Sequence, residues 1–403
     1  MVTDVTAAPV IIVGLDTMQG LQAARILAGH GIPIIAIASD PRHYACSTNV
    51  CDQIIIADTK SEAVVEVLEA EADRFQVKPV IVPCDDAQVA VISRFRSRLA
   101  DAYHVPLPPP DVIELMLDKL QFYQYAADTG LPIPQTSFVR SRQDAEDVAA
   151  HMAFPAVVKP PTKSGTWAKH TSMKAFKVQS AAELLAFFDE HESWSDVFIV
   201  QEWVEGPDSE LYSCNCYFDA SSTPLVTFVA KKLRQWPPRV GDSSLGVECR
   251  EPRVEEVAVE LFGGVGYWGL AYLEMKRDTR TGELVIMEPN VGRPTGRSAI
   301  AEAGNVELLY TLYCDTVGLP LPTNRVQSYR GVKWINLRKD TQSALYSWRR
   351  KELTLGEWWR SWRGPKGYAV WSLRDPRPFF TDLRRSFGKL IGRGVRKREA
   401  KVF

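Results

Sequence analysis

Four separated stretches of this 403-residue chain carry side chains suited to holding phosphate and metal. The most specific is Leu273, Glu274, Met275 and Lys276, a turn at Thr281, Gly282 and Glu283, then Leu284 to Glu288, Pro289 and Asn290. Two apolar strands around a glycine-containing turn predict a hairpin. Side chains two apart on a strand share a face, so Glu288 and Asn290 project together, and Glu274 falls across from them. Two carboxylates and an amide oxygen are hard oxygen ligands, suited to a Mg2+ ion that also binds substrate phosphates. Without a cation such acids repel one another. The bland alternative is a pair of acids splayed into solvent at strand ends.

The other stretches supply charge around that set. Lys119 follows Asp118, and forty residues later Lys159 ends the apolar run Phe154 to Val158 ahead of a loop from Thr162 to Thr166. One lysine at a strand end is usually a solvated edge residue, whereas two with such a loop can hold phosphate oxygens. The run Phe198 to Gln201 leads into Glu202, whose side chain and following backbone suit an adenine edge. Glu210 is then placed for ribose hydroxyls; the alternative is an ordinary strand end with solvated acids. Arg293 and Arg297 follow the acids, and a positive stretch from Lys231 and Lys232 through Arg234 to Arg239 precedes the hairpin. Arginine matches phosphate in a bidentate manner, which makes Arg293 the first candidate for stabilising a phosphorylated intermediate and Arg234 the second.

These residues need scaffolds. Val10 to Val13, a helical pattern through Leu27 closed by Gly29 and Gly31, and Ile34 to Ala38 predict the β-α-β start of a parallel sheet. The dinucleotide fingerprint is absent, since Asp16 and Gln19 interrupt Gly14 and Gly20. The alternation continues with strands at 53–57 and 80–83 and helices at 61–75, capped by Ser61, and 86–99. Asp85 and Asp86 fall at the carboxyl end of a strand, where open α/β sheets bind ligands, and a cap for the next helix is an equal reading of Asp86. The proline-rich segment 106–110 reads as a stiff linker and a boundary, followed by one helix over 111–129 and a strand at 156–159. The parts expected are 1–110, 111–325 and 326–403.

Taken in order, Lys119, Lys159, the segment Gln201 to Gly206, Glu210, Glu274, and Glu288-Pro289-Asn290 with Arg293 behind it resemble the ATP-grasp superfamily, particularly its carboxylate–amine ligases. The resemblance covers about residues 1–325. It implies a Rossmann-like α/β N-terminal domain, then an α+β ATP-grasp fold, with a small basic Trp-rich C-terminal subdomain beyond. It further implies ATP phosphates on Lys119 and Lys159, adenine and ribose at Gln201, Glu202, Trp203, Val204 and Glu210, and two Mg2+ ions, with Mn2+ as a substitute, on Glu274, Glu288 and Asn290. Two departures stand out: only Gly165 appears in the loop after Lys159, and the usual Asn-Pro-Arg ending is replaced by Asn290-Val291-Gly292-Arg293, so the arginine's role is shared with Arg297. The implied reaction activates a carboxylic acid as an acyl phosphate, which an amine then attacks. Asp242 and Glu248 are candidates for the general base. Carboxylation through carboxyphosphate and a non-catalytic nucleotide-binding protein are the rivals.

Composition bounds the rest. With 45% hydrophobic and 24% charged residues the chain is ordinary globular protein, and its seven scattered cysteines argue against zinc or disulfide frameworks. Cys214 and Cys216 read as buried thiols. No apolar run in the first half is long enough for a membrane span, so a cytoplasmic chain is expected. The net charge of −1 conceals −14 on residues 1–330 and +13 on residues 331–403. The basic end holds six of eleven tryptophans and closes on a helical spacing of Leu383, Phe387, Leu390 and Ile391. A third subdomain packed on the acidic body is the first reading, contact with an anionic membrane surface the second, and nucleic acid the last. Expected partners are a small carboxylic acid and an amine, with a homodimer as the assembly.

Overall fold

The computed structural model describes residues 7–162, 165–171, 173–238 and 241–386. Its first sheet is parallel, built from β1 (Val10–Val13), β2 (Ile34–Ala38), β3 (Gln53–Ile56) and β4 (Val80–Pro83) in the order β3-β2-β1-β4. Every residue of β1 and β4 is buried, which explains their unbroken apolar runs: helices cover both faces of such a sheet. Two local expectations change. The helix expected over 61–75 is Ala63–Glu71, and Ser61 does not cap it; Glu62 occupies that position without a side-chain hydrogen bond. The helix over 86–99 breaks at Phe95 into Asp86–Arg94 and Arg96–Leu99.

The segment 106–110 is packed rather than free. Leu107 is fully buried, Arg96 donates to the Pro108 carbonyl at 2.6 Å, and Pro110 opens a helix at its first position, where a missing N–H costs nothing. The single helix expected over 111–129 is two, Pro110–Leu117 and Lys119–Asp128. Asp118 leaves helical geometry and caps the second, accepting from the Leu120 and Gln121 N–H groups at 2.8 and 3.0 Å. That break puts Lys119 at a helix start.

A small antiparallel sheet follows, from β5 (Thr136–Val139), β6 (Ala156–Lys159), β7 (Phe176–Val178) and β8 (Phe198–Glu202), in the order β5-β8-β6-β7. The large sheet comprises β9 (Leu211–Phe218), β10 (Pro224–Trp236), β11 (Asp242–Glu248), β12 (Gly269–Arg277), β13 (Leu284–Val291), β14 (Lys333–Ile335) and β15 (Lys366–Tyr368). Its order is β13-β12-β9-β10-β11-β14-β15, so the C-terminal residues extend the sheet that carries the acidic hairpin. Trp334 is fully buried there, and Trp362 donates its indole N–H to Asp340 at 2.6 Å. Asp375 anchors the last described stretch to the first domain through Arg25 and Thr48. Phe379 packs on the same surface, so the described part of the terminal helix, 377–386, is docked on protein. Phe387, Leu390, Ile391, Lys163 and Ser164 lie outside the described residues. All seven cysteines are free, and Cys214 and Cys216 are buried on one face with their sulfurs 3.3 Å apart. No helix among the described residues is long and apolar enough to cross a membrane.

Candidate nucleotide and metal site

The hairpin of β12 and β13 pairs Glu274 with Glu288 and Tyr272 with Asn290. Two carboxylates thus oppose each other across adjacent strands, an arrangement that costs energy unless cations offset it. Lys232, on β10, supplies one: its Nζ lies 3.0 and 3.1 Å from the Glu274 oxygens. Glu288 remains exposed to solvent, with the charges of Glu274, Lys119 and Lys232 around it. Loss of hydration raises its pKa first and Glu274 adds to this, while Lys119 and Lys232 pull it back. Lys119 is partly buried, and desolvation followed by the nearby Lys159 charge lowers its pKa.

Lys159 ends β6 and is held on two sides, 3.1 Å from the Tyr123 hydroxyl and 3.0 Å from the Gln201 Oε1. Gln201 is buried and donates in turn to Thr136 Oγ1 at 2.8 Å. Its side chain is thus occupied in holding the Lys159 ammonium and Thr136, whereas the expectation was a nucleotide contact. Tyr123 also donates to the Met287 carbonyl at 2.9 Å, tying the lysine to the strand that carries Glu288. Sequence reasoning missed Tyr123, although its four-residue spacing from Lys119 on one helix face was a usable signal.

Past β8 the chain leaves the sheet. The Glu202 and Trp203 N–H groups bond to the carbonyls of Gln135 and Pro155, and the Val204 carbonyl accepts from Lys276 at 2.7 Å. Among the described residues no acceptor faces the Val204 N–H, which leaves a backbone donor beside a strand end. The Glu202 carboxylate is paired with Arg280, and the Trp203 ring lies under the ammonium groups of Lys177 and Lys276, at 4.1 and 5.6 Å from its centroid. Burial lowers the Lys276 pKa. Glu210 accepts from the Tyr212 hydroxyl at 3.2 Å, with Arg277 3.8 Å away.

The three arginines divide. Arg293 is buried beneath Asp86, whose Oδ1 lies 2.5 Å from its Nε, and its Nη2 donates to Asn290 Oδ1 at 2.7 Å. Burial alone lowers its pKa, but the hydrogen bond and charge of Asp86 outweigh that and raise it. Arg297 is 2% exposed, donates from Nη2 to Ser213 Oγ at 2.8 Å and Tyr272 Oη at 2.7 Å, and among the described residues has no hydrogen-bond partner for Nε or Nη1. Arg234, the second candidate for stabilising a phosphorylated intermediate, is engaged elsewhere. It makes a two-pronged ion pair with the fully buried Asp340, at 2.8 and 2.9 Å, because that carboxylate needs a cation at a site closed to water. Of the two candidate bases, Glu248 is buried and accepts the Tyr329 and Val332 N–H groups at 3.0 and 3.2 Å, a structural role. Asp242 pairs with Lys339 at 2.7 Å.

The arrangement fits Mg2+ and ATP. Glu274, Glu288 and Asn290 lie on paired strands, positive side chains surround them, and the buried Arg297 guanidinium connects to Glu274 through the Tyr272 hydroxyl. Among the described residues no group of three or more His, Cys, Asp or Glu side chains has metal-holding geometry, so an ion on these two acids would need other oxygens to complete its shell. Two surface cavities lie elsewhere: one of about 310 Å³ at Asn305 and Arg330, and one of about 380 Å³ that reaches Asp118 and Thr162.

No family model matches the chain. It is 23% identical over 314 residues to a D-aspartate ligase of Enterococcus faecium (strain Aus0004), covering 72% of each. It is 31% identical over 183 residues to a D-alanine–D-alanine ligase of Ectopseudomonas mendocina (strain ymp), a match spanning 44% of this chain and about half, 55%, of that one. Among solved structures, the biotin carboxylase domain of the Hydrogenobacter thermophilus 2-oxoglutarate carboxylase, in complex with MgADP and bicarbonate, superposes with a TM-score of 0.61 at 15% identity. It covers 79% of this chain and 71% of that one, a likeness of fold. With its hairpin acids and paired lysines, the chain is similar in sequence to these carboxylate–amine ligases and shares the ATP-grasp fold of the solved structures.

Proposed function

We infer that the chain is an ATP-dependent ligase that joins a carboxylic acid to an amine through an acyl phosphate. The observation that carries this reading is the pairing of Glu274 with Glu288 across β12 and β13, within a ring of Lys119, Lys159 and Lys232. An oxygen of the substrate carboxylate attacks the γ-phosphorus, ADP leaves, and the amine nitrogen then attacks the activated carbon, releasing phosphate and one proton. A carboxylate is a poor electrophile, and phosphorylation turns its oxygen into a leaving group. Lys119 and Lys159 hold phosphate oxygens as fixed point charges, and Arg293 and Arg297 offer guanidinium donors where negative charge accumulates. Glu274, Glu288 and Asn290 would hold Mg2+, which supplies charge neutralisation on the β- and γ-phosphates. The Val204 N–H suits an adenine ring nitrogen, and Glu210 suits the ribose hydroxyls.

The relatives that join D-aspartate or D-alanine favour an amino acid on one side of the new bond. An ADP-release screen of amino acids in pairs, with hydroxylamine as a trapping amine, tests the reading. A hydroxamate forms with the right acid, and Glu288→Gln abolishes ADP release; release that persists in this variant overturns the assignment. Bicarbonate dependence without any amine requirement would favour the carboxylation reading. Finer readings accompany this one: a second Mg2+, Mn2+ in its place, a homodimer, and contact of the basic C-terminal residues with an anionic membrane surface. Sedimentation tests the dimer, and flotation with anionic liposomes, against a chain ending at residue 386, tests the membrane contact.

A further inference from the structure

Asp86 carries charge from the first domain to the segment that follows the acidic hairpin. Asp86 opens the helix that follows β4, but its neighbour Asp85 does the capping, accepting from the Ala87 N–H at 3.0 Å and pairing with Lys60 at 3.4 Å. Asp86 is thereby left free to turn toward the large sheet, where it meets the Nε edge of Arg293 at 2.5 Å. The same guanidinium presents Nη2 to Asn290 Oδ1 at 2.7 Å and Nη1 to the Pro294 carbonyl at 3.4 Å. The chain can run this close to the first domain only because residue 292 is glycine. Its φ is +68°, and a Cβ there would lie 2.5 Å from Leu107 and 3.0 Å from Val89. Asp86 is also near enough to act on the charges of Lys119 and Glu288. One carboxylate on the first domain thus sits at the end of a chain, Asp86 to Arg293 to Asn290, that stops at a ligand of the acidic hairpin.

We propose that Asp86 is a positioning residue for this site: by fixing the Nε edge of Arg293 it holds the guanidinium and the Asn290 amide oxygen in register with Glu274 and Glu288, coupling the first domain to metal binding. A planar guanidinium gripped on one edge cannot rotate, so the opposite edge stays where Asn290 needs it. An amide oxygen has two lone pairs, so Asn290 can accept from Arg293 and still offer the second pair to a cation. Released from Asp86, Arg293 is free to move toward Glu288 and compete with a divalent ion for it. Groups that orient the ligands of a metal change affinity or activity by on the order of 10–100-fold when removed.

This inference rests on the proposed Mg2+ and ATP site, and the experiment separates the two. ADP is titrated calorimetrically into the full chain, with Mg2+ and with EDTA, for the wild type and for Asp86→Asn, Asp86→Glu and Glu288→Gln. The expected result is that Asp86→Asn binds ADP in EDTA as the wild type does but loses on the order of tenfold of the Mg2+-dependent gain, and that Asp86→Glu recovers part of it. Equal Mg2+ dependence in the wild type and Asp86→Asn, or an equal loss with and without the metal, overturns the inference. If Glu288→Gln leaves the Mg2+ dependence intact, the metal site itself is wrong; if Glu288→Gln removes it and Asp86→Asn does not, only the role of Asp86 falls. Should Asp86→Asn fail to fold, Arg293→Lys, which keeps a cation at Asp86 but lacks the second edge, must show the same selective loss; Mg2+ dependence like that of the wild type sinks the proposal.

Discussion

Replacing Arg297 with methionine separates a cation kept for a ligand from one kept for the fold. Arg297 is 2% exposed, and its Nε and Nη1 lack partners among the described residues. Buried donors without partners cost about 1–3 kcal/mol each. Against that stand the bonds to Ser213 Oγ and Tyr272 Oη, worth about 1.5–3 kcal/mol each because the donor is charged. The two sums are of similar size, so Arg297→Met should change the unfolding free energy by no more than about 1 kcal/mol. Arg234 gives the opposite expectation. Its removal strands Asp340, which is fully buried, and costs about 3–5 kcal/mol. Urea unfolding of both variants, with and without inorganic phosphate, is the assay. Phosphate at a hundredfold its dissociation constant stabilises the wild type by about 2.7 kcal/mol, and Arg297→Met should lose most of that gain. A loss of 3 kcal/mol or more on making Arg297→Met without phosphate, or equal protection of wild type and variant by phosphate, refutes the reasoning.

Other substitutions probe the neighbouring assignments. Gln201→Leu removes one of the two groups holding Lys159, and the lost bond to a charged donor, about 1.5–3 kcal/mol, should raise the KM for ATP roughly tenfold or more in steady-state assays. The double variant Arg234→Met/Asp340→Leu should recover much of the stability lost in Arg234→Met, read as a coupling energy in a double-mutant cycle. Burial raises the Glu302 pKa from 4.5 to about 7, so the folded chain keeps a proton that the unfolded chain loses. Stability should therefore fall by roughly 3 kcal/mol as pH rises from 4.5 to 7, and Glu302→Gln should flatten that part of the denaturation profile. EDTA should abolish ADP release in the presence of saturating ATP, and added Mg2+ should restore it.

The hairpin was legible because the period of two that sorts strand side chains also sets register. A turn placed near Gly282 sets the pairing from Arg277 with Leu284 to Met275 with Ile286, and a register shift between Glu274 and Met275, which the pattern did not announce, brings Glu274 opposite Glu288. Strands β1, β2, β4 and β6 were equally plain, since short β-branched runs between turn residues leave few other readings. What stayed hidden depends on partners distant in the chain. Arg234 finds Asp340 106 residues later and Arg293 finds Asp86 207 residues earlier, and no local pattern announces either. Gln201 looked like part of an adenine hinge because its neighbours do, yet the strand alternation that buries it also turns it toward Lys159. The break at Asp118 lay within one continuous helical pattern, and its sign was the capping residue itself. Strands β14 and β15 are three residues each, too short for any periodicity to show, so their place in the large sheet could come only from the tertiary structure.

The central claim is that the substrate carboxylate takes the γ-phosphoryl group before the amine attacks. The direct test uses the acid found by the ADP-release screen, labelled with 18O in its carboxylate, and reads the mass of the phosphate released. Transfer of one labelled oxygen into phosphate in each turnover, lost together with ADP release in Glu288→Gln, is the predicted result. Phosphate that carries no label while product forms would contradict an acyl phosphate and with it the reading of this site.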